Sequence, residues 1–449
     1  MFLRGVSIQV LGAVLLLGSG VFDAVSQEFQ DAEKEAPESL GERPRVFDDV
    51  IIEEGVPEAG FLIPGLKRSF PGLEPVLRDS EIRFEPRSYY FYRSFSDGRA
   101  AEAWTVGGAL TYESGWIGDT LKLGAVAYTS QRIYGPPDRD GTGLLQRQQQ
   151  PYTTLGQLYL QAKVGESTAT LYRQELNVPY VNRNDSRMTP RTFEGYTVTS
   201  EEIENLQMIV GHLTGMKDRT RTSFDPMSVA AGAPGSNQGV TMGGFVYQFT
   251  EGFRAGAINH YGWDTLNLLY TGASLDHTTD QDVDLSLGFQ FSDQSSVGDA
   301  LAGSRSGQLY GVEASAGVNS LIASVAFTQR TGDRITKPWG GDPSYNSLML
   351  SDYDRRSEEA IRLGLSYDFE EIGLPGVSAF ANYAWGNTPE TGPDASPDQQ
   401  EVNVTLDLRP EKGKWKDFWL RFRYGYNDRD GGGVSRTDFR VIANYSIEF

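Results

Sequence analysis

Residues 419–449 read WLRFRYGYNDRDGGGVSRTDFRVIANYSIEF, and the alternation inside this stretch decides the fold. Arg421 and Arg423 alternate with Leu420, Phe422 and Tyr424; past a glycine-rich turn, Arg440, Ile442 and Asn444 alternate with Phe439, Val441, Ala443 and Tyr445. A period of two is the mark of a strand with two unlike faces. Here one face is apolar and the other carries guanidinium groups, and the chain stops on a bare aromatic, Phe449.

The same period runs through the body of the chain. Residues 283–291 (VDLSLGFQF) set Val283, Leu285, Leu287, Phe289 and Phe291 against Asp284, Ser286, Gly288 and Gln290. Residues 360–369 oppose Ile361, Leu363, Leu365, Tyr367 and Phe369 to Arg362, Gly364, Ser366 and Asp368. Residues 402–409 do the same with Val402, Val404, Leu406 and Leu408 against Asn403, Thr405, Asp407 and Arg409.

A soluble sandwich and a membrane barrel both alternate in this way. Three features favour the barrel. The polar positions hold small and charged residues suited to lining water, while the apolar ones hold Leu, Val and Phe and end in Tyr or Trp. The segments are about ten residues long, enough to cross a bilayer at a tilt of roughly 45°. Tight connections such as 164–167 (VGES) and 317–320 (GVNS) also trade with long polar ones such as 134–151 and 386–400.

Eighteen segments are expected, near 81–93, 102–114, 119–130, 153–164, 167–176, 192–200, 204–216, 239–249, 253–260, 263–273, 281–291, 307–317, 320–330, 358–369, 376–386, 400–409, 416–426 and 436–448. Sixteen is also compatible. An even number puts both barrel ends at the periplasmic rim, and a barrel of this size encloses an aqueous lumen. Arginines on the polar face then meet water, because facing lipid near the midplane would cost about 2–4 kcal/mol each.

Composition closes off other classes. The chain has 449 residues, no cysteine and three histidines (His212, His260, His277), far apart in sequence. Disulfides and thiolate chemistry are excluded, and metal sites and catalytic triads have almost no material. A net charge of −20 argues against a nucleic-acid surface. Mean hydropathy is −0.40, and no helix-length apolar run occurs outside the N-terminus. The 51 glycines, 22 tyrosines and 23 phenylalanines suit many strands joined by turns. The acidic turns 136–141 (PPDRDG) and 427–432 (NDRDGG) lack the full calcium-loop ligand pattern and read as solvated turns. No cofactor, no metal and no catalytic residue is expected.

The N-terminus reads as an address. Arg4 precedes an apolar stretch from Val6 to Phe22, and Ala24-Val25-Ser26 follows as a small-x-small cleavage pattern. Residues 1–26 are therefore expected to be a Sec signal peptide that exports the protein. Residues 27–79, acidic and dotted with Pro and Gly, read as a flexible extension, with the barrel over 80–449.

Several stretches, in their order, resemble the OprD-type family of substrate-specific outer-membrane porins. They are RSYYFYR (87–93), LYRQELNVPYVNRNDSRMTPRTFEGYTV (171–198), KPWGGDPSYNSLML (337–350), FEEIGLPGVSAFANYAWGN (369–387), KDFWLRFRYGY (416–426) and RTDFRVIANYSIEF (436–449). The resemblance covers about 70–449. It implies an eighteen-stranded barrel with loops folded inward to make an eyelet. It further implies passive uptake of small carboxylate-bearing solutes along a ladder of basic side chains, faced by an acidic or polar wall. Positions matching the ladder are Arg409, Arg421, Arg423 and Arg440, and Arg187 matches an eyelet arginine. Tyr180 and Asp185 are further eyelet candidates.

Asp284, Glu313 and Asp368 are candidates for the opposing wall. Arg83, Arg87 and Arg93 face the lumen by parity and are expected to be structural partners of nearby acids. The expected partners are anionic or zwitterionic solutes, outer-membrane lipids and lipopolysaccharide. The assembly machinery is expected to be met through Phe449, and the family resemblance admits weak trimers or monomers. The rival reading within this fold is a general diffusion porin without a ladder.

Overall fold

The computed structural model describes residues 79–410, 412, 415–431 and 433–448. The expected leader, nearly all of the acidic extension and the terminal Phe449 lie outside the described residues. Eighteen long strands follow in chain order: β1 (Glu81–Phe95), β2 (Ala100–Glu113), β3 (Leu121–Tyr134), β4 (Tyr152–Val164), β5 (Ser167–Gln174), β6 (Thr192–Ile203), β7 (Leu206–Lys217), β8 (Val240–Thr250), β9 (Phe253–Gly262), β10 (Leu266–Thr278), β11 (Val283–Ser296), β12 (Ser306–Val318), β13 (Leu321–Gly332), β14 (Glu359–Asp368), β15 (Val377–Asn387), β16 (Gln399–Leu408), β17 (Phe418–Arg429) and β18 (Arg436–Tyr445). Each pairs antiparallel with the next. β18 then pairs with β1, from Arg87↔Asn444 to Phe95↔Arg436, so the sheet closes on itself. Closure matters because an unpaired strand edge cannot be hydrated inside hydrocarbon.

The count is thus eighteen and not sixteen, and the strands lie within a few residues of where the alternation puts them. The largest shift is at β10. Trp263 to Thr265 form a tight turn instead of a strand start, with Asp264 at φ +53°. At one rim the connections are short: 165–166, 204–205, 251–252, 279–282 and 319–320. Gly165 supplies the left-handed backbone that the first of these needs, at φ +59°. The other rim carries the long connections 135–151, 175–191, 218–239 and 333–358. Short turns mark the periplasmic rim of bacterial barrels, so β1 starts there.

Outward positions are exposed and apolar, among them Leu110, Leu158, Val210, Phe289, Val325, Leu363, Val404 and Phe439. Aromatic pairs gather at the strand ends: Phe249–Phe253 and Tyr367–Phe369 at the inner rim, Tyr261–Trp263 at the outer. This is the girdle pattern of a lipid-facing surface.

The long connections fold into the barrel. Residues 175–191 carry a small hairpin, Asn177–Val178 against Val181–Asn182, and residues 218–239 a helical turn, Met227–Ala230. Trp339, from 333–358, donates its indole N–H to the Met227 carbonyl at 2.9 Å. The segments 175–191 and 333–358 also meet: the Gly341 N–H donates to Asn182 Oδ1 at 2.8 Å, and Arg191 donates to the Gly340 carbonyl at 2.7 Å. Together these contacts tie the inward segments to one another inside the barrel.

Candidate functional site

The inner faces of β16, β17, β18 and β1 form one wall, and strand register fixes its levels. Trp419 faces Asn444, Arg421 faces Ile442, Arg423 faces Arg440, Gly425 faces Asp438 and Asn427 faces Arg436. On the flanks, Asp407 lies opposite Arg421, while Phe91 and Arg93 lie opposite Arg440 and Asp438. Successive inward residues are about 6.7 Å apart along a strand, so the guanidinium groups are stacked from rim to rim.

Like charges placed directly opposite, as Arg423 and Arg440 are, repel and need compensation. Two buried carboxylates supply part of it. Asp407 takes both bonds of a bidentate pair from Arg421, at 2.7 and 2.8 Å, and also the Trp419 indole N–H at 2.9 Å. Both members of that pair are 3% exposed. Asp438, fully buried, accepts from Arg93 at 2.8 and 2.9 Å, from Arg436 at 3.1 and 3.0 Å and from Arg440 at 2.8 Å. Arg409 follows β16 and stacks on Trp419, its guanidinium carbon 4.4 Å from the ring centre, with Arg421 at 4.5 Å.

Arg187 reaches this wall from the inward segment 175–191. Its guanidinium lies 5.1 Å from the Phe91 ring centre, where Arg440 lies at 4.6 Å. It donates to the Thr142 and Ser186 carbonyls at 2.9 and 2.7 Å and, more weakly, to the Ser186 hydroxyl. All these acceptors are uncharged. Burial, together with the Arg440 and Arg219 guanidiniums, pushes its proton affinity well below the ordinary guanidinium range.

The other candidates fall into place differently. Asp185 does not pair with Arg187. It takes a bidentate bond from Arg87, at 2.7 and 2.8 Å, and one from Arg183 at 3.2 Å. Burial alone would raise its carboxyl, but Arg87 and Arg183 outweigh that and hold it below its usual value. Asp185 therefore moors the eyelet segment to β1. Arg83, Arg87 and Arg93 are each taken by an acid: Glu81, Asp185 and Asp438.

Tyr180 is fully buried, with its hydroxyl on Ser292 at 2.8 Å and its ring edge-on to Tyr270. It reaches no water, because the hairpin turns it into an apolar core. Asp284, Glu313 and Asp368 do not converge. They stand on β11, β12 and β14, whereas the strand nine positions from β17 in a ring of eighteen is β8. Glu313 is engaged by Arg362, Asp284 accepts from the Thr278 hydroxyl, and Asp368 from the Glu370 N–H.

The segment 333–358 supplies what the sequence did not announce. Its backbone lands on the basic wall. The Leu350 and Ser351 N–H groups donate to Glu401 at 2.9 and 2.8 Å, while Arg436 and Arg440 donate to the Leu350 and Met349 carbonyls. The tips of the Leu350 and Met349 side chains sit against Gly425, where a Cβ would displace them.

The same segment gathers Asp342, Asp352 and Asp354 with carboxylate oxygens within 4.8 Å of one another, a spacing open to a cation. Lys337 occupies that position, with its ammonium 3.1, 2.8 and 2.6 Å from the three. Burial would strip its proton, but the three carboxylates hold it above the ordinary lysine range. Parity could have flagged Asp407, Arg436 and Asp438, which share the ladder's face. No local signal marked the partners from 333–358.

The profile of the family described as outer membrane porin, OprD family, matches residues 75–449. Porin D of Pseudomonas aeruginosa is 24% identical over 409 residues, covering 83% of this chain and 91% of that protein. Among solved structures, OccK9 (OpdG) of the same organism superposes with a TM-score of 0.76 at 24% identity, covering 84% of this chain and 100% of that one. OpdK from P. aeruginosa, crystallised with vanillate, superposes with a TM-score of 0.75 at 20% identity, over 83% of this chain and 100% of that one.

Proposed function

The chain belongs to the OprD family of outer membrane porins, channels rather than enzymes, and from that premise we propose that it admits small water-soluble carboxylates selectively. The route is the wall built by Arg409, Arg421, Arg423 and Arg440 together with Arg187 of the eyelet. One observation carries this reading: Arg187 and Arg440 converge over Phe91, and among the described residues the donors of Arg187 go to uncharged oxygens. The surrounding chain carries a net charge of −20, so this stripe is a local reversal of sign. A guanidinium stays charged and takes a carboxylate with two parallel bonds. Rungs one level apart let an anion exchange partners without being held fast at any one, as conduction requires. OpdK, whose structure holds vanillate, is a relative whose ligand carries a carboxylate. Export by residues 1–26, assembly through Phe449, and contact with lipopolysaccharide at the lipid face belong to the same reading.

The test is reconstitution in planar bilayers, with current recorded while benzoate and other monocarboxylates are added. Brief blocking events are expected in the wild type and should largely vanish in R421A/R423A. A large, weakly selective conductance without block would instead identify a general diffusion porin. Unchanged block in the double variant would remove the ladder from the mechanism.

A further inference from the structure

Resting on that reading, we infer that Asp438 is a specificity-determining counter-charge: it sets how tightly the arginine wall holds a passing anion. Asp438 lies on the inner face of β18, fully buried, one level above the Arg423–Arg440 pair. Three guanidiniums from two strands converge on its two oxygens through five bonds of 2.8–3.1 Å. Its cross-strand neighbour is Gly425, and the inward segment 333–358 covers both.

The chemistry of the arrangement is that of a fixed carboxylate holding the place a mobile one would seek. Arg440 is 3% exposed, so a solute's carboxylate passing this wall feels Asp438 through its charge, which offsets the attraction of the guanidiniums around it. The wall is thereby kept attractive but shallow. Arg93 and Arg436 matter in the opposite sense, because each draws part of the Asp438 charge away from Arg440. Asp407 opposite Arg421 repeats the device one level below that pair.

Opposite signs make the test specific. In planar bilayers, D438N should lengthen benzoate blocking events by roughly tenfold, the scale of one unit charge within a few ångströms in a partly aqueous site. It should also move the reversal potential in a KCl gradient toward anion selectivity. D438E should restore wild-type behaviour. R93Q should shorten the events, because it leaves more of the Asp438 charge on Arg440. A purely structural role would loosen the wall in both D438N and R93Q and move dwell times the same way. That outcome, or unchanged dwell times and reversal potential in D438N channels that insert normally, would overturn the inference. If D438N does not assemble, a lengthened or unchanged dwell time in R93Q overturns it alone. Absence of block in the wild type would strike the carboxylate reading itself and leave a distinguishable record.

Discussion

Two arcs of this barrel share one strand geometry and have unlike interiors. Along β7 to β12 the inward residues include Ile209, Leu213, Met242, Ile258, Leu268, Tyr270 and Leu309. They are packed under Val178, Tyr180 and Trp339 from the folded-in segments. That arc is a dry core placed inside a membrane barrel. Along β16, β17, β18 and β1 the inward residues are arginines and the acids that hold them, with Arg187 and the Met349 carbonyl brought against them. The first arc fixes where the eyelet segments sit, and the second gives the eyelet its charge. Selectivity in this reading depends on both, because Arg187 is useful only if the hairpin behind it is held.

The comparison breaks most sharply at Tyr270. Replacement by Ala removes a buried ring under the hairpin and should cost about 3–5 kcal/mol of unfolding free energy. Urea titration of the barrel in lipid vesicles measures this. The open-channel current should become noisier as residues 175–191 loosen. Y270F provides the contrast: among the described residues the Tyr270 hydroxyl has no hydrogen-bond partner, so its loss should leave stability unchanged or slightly raised.

An intermediate effect is expected on the charged arc. G425L should press against the Leu350 and Met349 side chains and strain the segment 333–358 on the wall, an overpacking cost of about 1–3 kcal/mol. Conductance should rise and benzoate block weaken, while the urea midpoint moves less than in Y270A. A rise in block strength would mean that the segment does not constrict the channel.

The smallest effect concerns the mooring between the arcs. The Asp185 carboxyl is held below its usual value of 3.8 by Arg87 and Arg183. A depressed carboxyl stabilises the fold above its unfolded value and loses that contribution as pH falls through the folded one. Eyelet noise in single-channel records should therefore be flat from pH 8 down to about pH 4 and increase only below it. R87Q should bring that onset to higher pH.

Legibility in the sequence followed the same division. Strands such as 283–291 and 402–409 alternate cleanly because one side meets hydrocarbon and the other meets polar neighbours. β7 and β10 are apolar on both faces, since Leu213 and Leu268 point into the core while Val210 and Leu275 point at lipid. Alternation alone could not say that their inner side is dry. Parity placed Arg421, Arg423 and Arg440 inside the barrel, but gave no means of knowing that Asp438 binds three arginines or that Asp185 serves Arg87. Tyr180 and Asp185 belong to the eyelet segment as its anchor and its mooring, roles that depend on residues about 100 positions away in either direction.

The amino-acid sequence by itself determined a closed barrel of sixteen or eighteen strands and the face on which its charges lie; the pairing of β18 with β1 settled eighteen. A period of two and the exclusion of charge from lipid are local rules, readable one strand at a time. Tertiary structure alone decided which acid answers which arginine, where the eyelet sits and which inner arc is dry. Those depend on long segments folding back across the barrel, and contacts made across such distances in the chain leave no periodic trace.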